Sequence, residues 1–218
     1  MSSLVLAGAL GGMATGGVAE EALSPEERWL ETDLEAINEG ELEFLDPPPD
    51  KPVHHLTNHL TIDSASLKDG WVGLRQCHEN LDAVPDAEIV YRYRAIRDLR
   101  VTSSTGIGKA GIEGQSVQLK DVDRGAGLCV AAEVRILERE GEGYVLRNGP
   151  FHRRFLDGYY PMHVTVTIDH PTGLQNTSVS PSAQPGLAVE RSDGELTLDA
   201  WFAGRLEIEM RFSGVGSP

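Results

Sequence analysis

Apolar and polar side chains alternate along several segments of the chain, and this alternation constrains the fold more than any other feature. Within residues 56–62, Leu56, Leu60 and Ile62 share one face with Asn58, while histidines and threonines occupy the other. A period of two residues with β-branched side chains is typical of a strand with one buried face. Residues 71–77 have the same character after a turn, so we predict two neighbouring antiparallel strands.

The same period recurs in residues 128–136, 162–168, 196–202 and 206–212, and Gly204 lies where a bulge or turn would separate the last two. No segment after residue 50 has a convincing helical period. We therefore predict an all-β fold, an antiparallel β-sandwich with a partly open barrel as second choice. Residues 171–195, rich in Pro, Thr, Ser, Gln and Gly, are predicted to form a long surface loop.

Most of the negative charge lies near the N-terminus. Residues 20–50 hold twelve acids against Arg28 alone, so this segment carries −11 of the formal net charge of −15. Ser24 and Glu27 form a capping box, which predicts one short acidic helix that ends near Gly40. A proline-rich linker follows, and we expect one sandwich domain over residues 51–218. Without a basic stripe, a nucleic-acid partner is disfavoured.

Residues 1–19 are uncharged, small and apolar, and end with Gly17 and Ala19 at a plausible cleavage point. A secretory leader is the favoured interpretation, although it lacks basic residues. The alternative is a glycine-rich N-terminus of a cytosolic protein. The favoured interpretation predicts a periplasmic or secreted protein with no membrane span in the mature chain.

The two cysteines, Cys77 and Cys129, lie 52 residues apart on strand-like segments, and no CxxC spacing occurs. This spacing fits neither a structural zinc site nor a thioredoxin-type pair. In an oxidising compartment a disulfide between them would stabilise the fold by about 4 kcal/mol, because it closes a long loop. The alternative is two buried thiols.

Two glycine-containing segments resemble ligand loops only in part. Residues 106–111 match G-x-G-x-x-G but precede a strand-like segment, whereas dinucleotide binding requires a helix there. Residues 121–125 begin like a calcium loop but lack its later ligands. We predict a turn at each place, and we predict no cofactor and no catalytic residue.

The most unusual segment is residues 144–163, which combines aromatic and basic side chains with turn-forming glycines. We predict that it is largely loop and binds an envelope protein or an anionic ligand, because aromatic and arginine side chains dominate contact energies. Alternatively, its aromatic rings close one end of the sandwich and its arginines pair with the acidic segment. The predicted binding residues are Phe151, His152, Arg153, Arg154, Phe155, Tyr159 and Tyr160.

These features favour an exported, non-catalytic binding or accessory protein. One alternative is a periplasmic protein that handles copper or zinc. A second alternative is a hydrolase of envelope polymers, for which the sequence offers no specific residues. The histidines considered for the metal site are His54, His55, His59, His78 and His163.

We expect intact-mass analysis of the protein from its native host to show residues 1–19 removed. The mass should also lie below the reduced value by two hydrogen atoms, as one disulfide requires. A full-length chain with two alkylatable thiols would contradict export.

Overall fold

The computed structural model describes residues 38–155 and 158–214. The predicted leader, and the predicted acidic helix up to residue 37, lie outside the described residues. Within the described ranges the chain is built from strands, with a single helical turn, α1 (Ser66–Asp69). The all-β prediction is confirmed.

The described strands form a large sheet, a small sheet and a short hairpin. The large sheet contains β1 (Glu43–Phe44), β2 (His54–Thr61), β3 (Trp71–Leu81), β4 (Val84–Val90), β5 (Ile96–Glu113), β6 (Ser116–Arg135), β11 (Met162–Asp169), β13 (Leu187–Ser192) and β14 (Glu195–Ala203). The small sheet contains β7 (Leu137–Glu140), β8 (Gly143–Phe151), β12 (Gln175–Ser180) and β15 (Leu206–Ser213). The hairpin consists of β9 (Arg153–Phe155) and β10 (Gly158–Tyr160).

Strand order in the large sheet is β1-β14-β11-β2-β3-β6-β4, with β13 also paired to β14 and β5 to β6. The small sheet has the order β12-β15-β8-β7. Neighbouring strands are antiparallel, as predicted for β2 and β3, with the exception of the parallel pair β2 and β11. Between β2 and β11 the chain forms eight other strands, β3 to β10, of which β3 to β6 belong to the large sheet.

The two sheets bury their apolar faces against each other. Leu60 and Val166 of the large sheet and Leu146 and Met210 of the small sheet belong to one buried cluster. The even-numbered residues of β2, β11 and β14 point into this core, as the alternation predicts. The predicted β-sandwich is therefore present.

The prediction of a long loop at residues 171–195 is wrong, because β12 and β13 lie within it. Each strand is short, and prolines interrupt the alternation, so the sequence pattern is weak. Val179 of β12 and Leu187 of β13 are nevertheless buried in the core. Pairing of β12 with β15 and of β13 with β14 stabilises these two strands, which the local sequence pattern does not predict.

The turns predicted at residues 106–111 and 121–125 are also wrong, since these residues lie inside β5 and β6. The two strands form one long hairpin whose register shifts between Thr105 and Ile107. Gly106 and Gly125 have positive φ angles of 67° and 79°, which bend the strands without ending them. Glycine therefore marks a change of strand direction here.

The predicted disulfide is present between Cys77 of β3 and Cys129 of β6. The two residues lie directly opposite each other in the sheet, with their Cα atoms 4.1 Å apart. The bridge lies on the face of the large sheet that points away from the core. It joins two adjacent strands of the large sheet.

The segment before β1 packs closely against the turn between β14 and β15. Gly204 in this turn has φ +87°, and a Cβ added there would lie 1.8 Å from the carbonyl oxygen of Glu41. Only a residue without a side chain fits this contact. The backbone near Glu41 is therefore fixed to the sandwich at this turn.

We expect Gly204→Ala to lower the free energy of unfolding by on the order of 2–4 kcal/mol, because the clash adds to backbone strain. The matched control is Gly114→Ala, at φ +58° with no atom within 4 Å, which should cost only about 1 kcal/mol. Urea denaturation measures both. Equal losses would contradict the close contact at Glu41.

Candidate ligand cavity

The aromatic-basic segment predicted as a loop consists largely of strands. β8 continues through Gly149 and Pro150 to Phe151, and the β9–β10 hairpin follows. The pairing of β8 with β15 shifts register here, because Ile208 faces Asn148 while Leu206 faces Phe151. This irregularity accommodates the glycine and proline, so the prediction of a loop was wrong.

The predicted binding residues are divided between core and surface. Phe151 is buried, with 6% of its surface exposed, whereas Tyr160 is 40% exposed. Nε of Arg153 lies 2.9 Å from Oδ2 of Asp82, and its guanidinium lies over the Tyr160 ring at 5.5 Å. This pairing ties the β9–β10 hairpin to the end of β3.

His152 and Arg154 both lie against the Tyr159 ring. The guanidinium of Arg154 lies 5.7 Å from the Tyr159 ring centre, and the His152 ring lies 5.7 Å from it on a tilted plane. The backbone amide of Tyr159 donates a hydrogen bond of 2.9 Å to the carbonyl of Asn38. Phe155 pairs through its backbone with Gly158.

A cavity of about 480 Å³ lies between the β4–β6 part of the large sheet and the residues that end β8 and begin β9. Its volume falls within the range of about 300–1,000 Å³ that is common for ligand sites. Phe151, His152, Arg153 and Arg154 all line it. The apolar part of its wall comes from residues of six strands, among them Leu56, Leu81, Ile89, Leu119, Phe151 and Met162.

A chain of hydrogen bonds runs from the cavity wall into the core. Six polar side chains form it in this order: His54, His78, Gln76, Asn58, Asn148 and Tyr93. The successive distances between bonded atoms are 2.9, 2.9, 2.7, 3.0 and 3.2 Å. Because buried polar groups are costly without partners, this arrangement makes a polar core tolerable.

The sequence contained a signal for this chain of hydrogen bonds. Asn58 lies between Leu56 and Leu60 on the buried face of β2, and Gln76 and His78 continue the buried face of β3 after Leu74. A polar residue on such a face needs a buried partner. The identity of that partner, Asn148 in the opposite sheet, depends on the packing of the two sheets.

Burial keeps His54 and His78, the two histidines in this chain of hydrogen bonds, uncharged at neutral pH. It lowers the pKa of His54 to about 4, with a further contribution from the nearby Arg153. Burial, together with the adjacent His54, lowers the pKa of His78 to about 3. Asp82 acts in the opposite direction on His54, and its effect is smaller.

Positive charge collects around His152 at the edge of the cavity. Burial lowers the pKa of His152, and Arg205, Arg92 and Arg154 lower it further through their charge. Arg92 and Arg205 are exposed and make no ion pair with any of the described residues. Nδ1 of His152 is buried without a hydrogen-bond partner in the same described part. Sequence reasoning missed Arg92 and Arg205, because both lie outside the aromatic-basic segment.

The histidines of the metal hypothesis lie on opposite faces of the large sheet. His54 and His78 face the core, whereas the rings of His55 and His163 stack on the outer face with their centres 3.9 Å apart. His59 instead contacts Asp169, with Nε2 2.6 Å from Oδ2. Within residues 38–155 and 158–214, no three His, Cys, Asp or Glu side chains are grouped to hold one metal ion.

The outer face carries a second network that the sequence did not indicate. The Trp201 ring stacks on His163 at 4.0 Å, and Asp199 accepts hydrogen bonds from His163 and Thr165. These hydrogen bonds lower the pKa of Asp199, with the largest contribution from His163. The network lies on an open sheet surface, away from the cavity.

Comparison with known proteins gives no family. No protein-family profile and no curated protein matches the chain. Solved structures that match include the M1 zinc metallopeptidase from Deinococcus radiodurans, with a TM-score of 0.38 and 13% identity. A mutant of that enzyme bound to a Tyr-Ser-Ala substrate matches with a TM-score of 0.40 and 13% identity.

These matches cover 81% of this chain and 43% of the metallopeptidase chain. The chain thus spans less than half the length of those structures. Similarity at this level assigns neither a family nor an activity. In the described part of the chain, no helix has the length and apolar character needed to cross a membrane.

We expect the free energy of unfolding to fall as the pH is lowered from about 6.5 towards 4. In this window the unfolded chain protonates imidazoles with a pKa of 6.5, whereas folded His54 and His78 stay neutral. His78→Gln should reduce the slope by up to about 1.4 kcal/mol per pH unit. Urea denaturation at several pH values provides the measurement.

Tyr93→Phe is the matched control, because it disturbs the same chain of hydrogen bonds without removing an imidazole. It should lower stability at every pH and keep the wild-type slope. If His78→Gln also keeps that slope, His78 is protonated in the folded protein and the prediction is wrong.

Proposed function

We propose that this protein is a non-catalytic binding domain that holds an amphipathic anion in the cavity beside the aromatic-basic segment. The observation that carries the proposal is an apolar cavity with Arg92 in its lining and with Arg205 close to His152, another lining residue. An apolar wall favours an apolar ligand body, because burying that body removes it from water. The arginines add a requirement for negative charge at one end of the ligand.

The charge at the edge of the cavity supports an anionic ligand. Arg92 and Arg205 lie near His152 from two different parts of the chain. A guanidinium group binds carboxylate, sulfonate or phosphate through paired hydrogen bonds. Arg153 is already paired with Asp82, so it serves to position the hairpin.

The acids that line the cavity each have a partner. Asp82 pairs with Arg153, Asp86 pairs with Lys120, and Glu88 accepts a hydrogen bond from Gln118. A hydrolase using two carboxylates would need two that face each other across a substrate. These three offer no support for that alternative, and the separated histidines offer none for the metal alternative.

We further propose that the protein is exported. The signal-like leader and the disulfide between Cys77 and Cys129 support this proposal, because structural disulfides are typical of oxidising compartments. A periplasmic or extracellular anion would then be the ligand.

Two fluorescent probes with the same aromatic body test the binding proposal: anionic 1-anilinonaphthalene-8-sulfonate and neutral N-phenyl-1-naphthylamine. We expect both to bind, and the anion to bind more tightly. Arg92→Ala with Arg205→Ala should weaken binding of the anion on the order of tenfold and leave the neutral probe unchanged.

Arg75→Ala with Arg139→Ala is the matched control, since both arginines are exposed, and neither lines the cavity or acts on His152. This control should bind both probes like the wild type. Ala87→Phe, which fills part of the cavity, should weaken both probes. The proposal fails if the wild type binds neither probe, or if the two arginine pairs have equal effects on the anion.

A further inference from the structure

We infer that the ligand of this cavity also carries an uncharged hydrogen-bond donor, a hydroxyl or an amide N–H, that binds Nδ1 of His54. This inference rests on the proposed function and specifies a second polar group of the ligand besides its anion. It follows from the direction of the buried hydrogen-bond chain, which leaves one acceptor at the cavity wall.

The donor-to-acceptor direction of these hydrogen bonds is set by the residues in the core. Nδ2 of Asn148 donates to the Tyr93 hydroxyl, so Oδ1 of Asn148 is the atom that accepts from Asn58. Oδ1 of Asn58 in turn accepts from Nε2 of Gln76. Oε1 of Gln76 is therefore the atom that faces His78, and it must receive a proton donor.

The two imidazoles continue this direction. Nε2 of His78 donates to Oε1 of Gln76, so the single proton of the neutral ring is on Nε2. Nδ1 of His78 is then an acceptor, and Nε2 of His54 donates to it. A neutral His54 carries its one proton on Nε2, which makes its Nδ1 an acceptor.

Nδ1 of His54 is the acceptor that the protein leaves for a ligand. Among the described residues it has no hydrogen-bond partner, and His54 lines the cavity. Three other members of the hydrogen-bond chain line the same cavity: His78, Gln76 and Tyr93. The atoms of theirs described above already bind their neighbours in that hydrogen-bond chain. An unpaired acceptor in a partly buried site favours a ligand that supplies the missing donor.

The donor should be uncharged. The acids that line the cavity, Asp82, Asp86 and Glu88, already have partners. An ammonium group at Nδ1 would therefore be desolvated without a free carboxylate to pair with. A neutral imidazole also has no charge with which to attract a second anionic group, so a dicarboxylate gains nothing there.

The ligand class that results has an anionic group at Arg92 and Arg205, an apolar body, and a neutral donor at His54. Hydroxyaryl and hydroxyacyl carboxylates have this composition. The two ends are recognised by different residues, so each can be tested without the other.

Three probes with the same butyrate chain and different ring substituents test the hydrogen bond to His54: 4-(4-hydroxyphenyl)butyrate, 4-(4-methoxyphenyl)butyrate and 4-phenylbutyrate. The first can donate at the ring, the second can only accept, and the third does neither. We expect calorimetry on the wild type to show the hydroxyl probe binding about three- to tenfold more tightly than the other two. The corresponding acetates and hexanoates establish which chain length reaches both ends.

Two variants locate the effect. His54→Phe retains a ring but removes the acceptor, so the three probes should bind equally. His54→Gln can donate from its amide nitrogen to His78 and accept at its oxygen, so part of the hydroxyl preference should return. Circular dichroism confirms that each variant is folded.

The outcomes distinguish this inference from the proposed function. If all three probes bind the wild type equally, the inference is wrong and the anion site remains. If the methoxy probe binds most tightly, the hydrogen-bond chain runs in the opposite direction and the inference is again wrong. If no probe binds at any length, both proposals fall. The comparison on wild-type protein requires no variant, so a variant that misfolds does not affect it.

Discussion

The hydrogen bond between Asn58 and Asn148 is the contact on which the interior of this domain depends. It joins the large sheet to the small sheet at a distance of 3.0 Å in the buried interior between them. A buried amide without a partner would cost about 1–3 kcal/mol, so the two sheets can approach in few registers other than this one. Apolar contacts alone tolerate small shifts, whereas this pair of amides does not.

The same polar chain explains why a cavity can exist at this end of the sandwich. Imidazole and amide groups next to the cavity are held by their neighbours in the core, so they do not collapse into the space. Polar groups held at a cavity wall trade stability for an open site, as is common where proteins bind ligands.

Much of the fold could be predicted from the sequence, because the alternation in β2, β11, β14 and β15 is strong and local. The cavity could not be predicted, since its wall combines Leu56, Leu119 and Met162 from distant segments. Glycines were misleading inside β5 and β6, because a long bent strand and a turn require the same backbone angles.

The parallel pairing of β2 with β11 has a consequence for the order in which the domain assembles. The neighbour of β2 on one side, β3, follows it directly in the chain, but its other neighbour, β11, is made only after β3 to β10. Until then β2 presents an open edge, and such an edge can pair with strands of other chains. The two cysteines lie in β3 and β6, within the part that is complete before β11 appears. Oxidation during synthesis would therefore lock β3 to β6 first, and the late arrival of β11 would close the sheet.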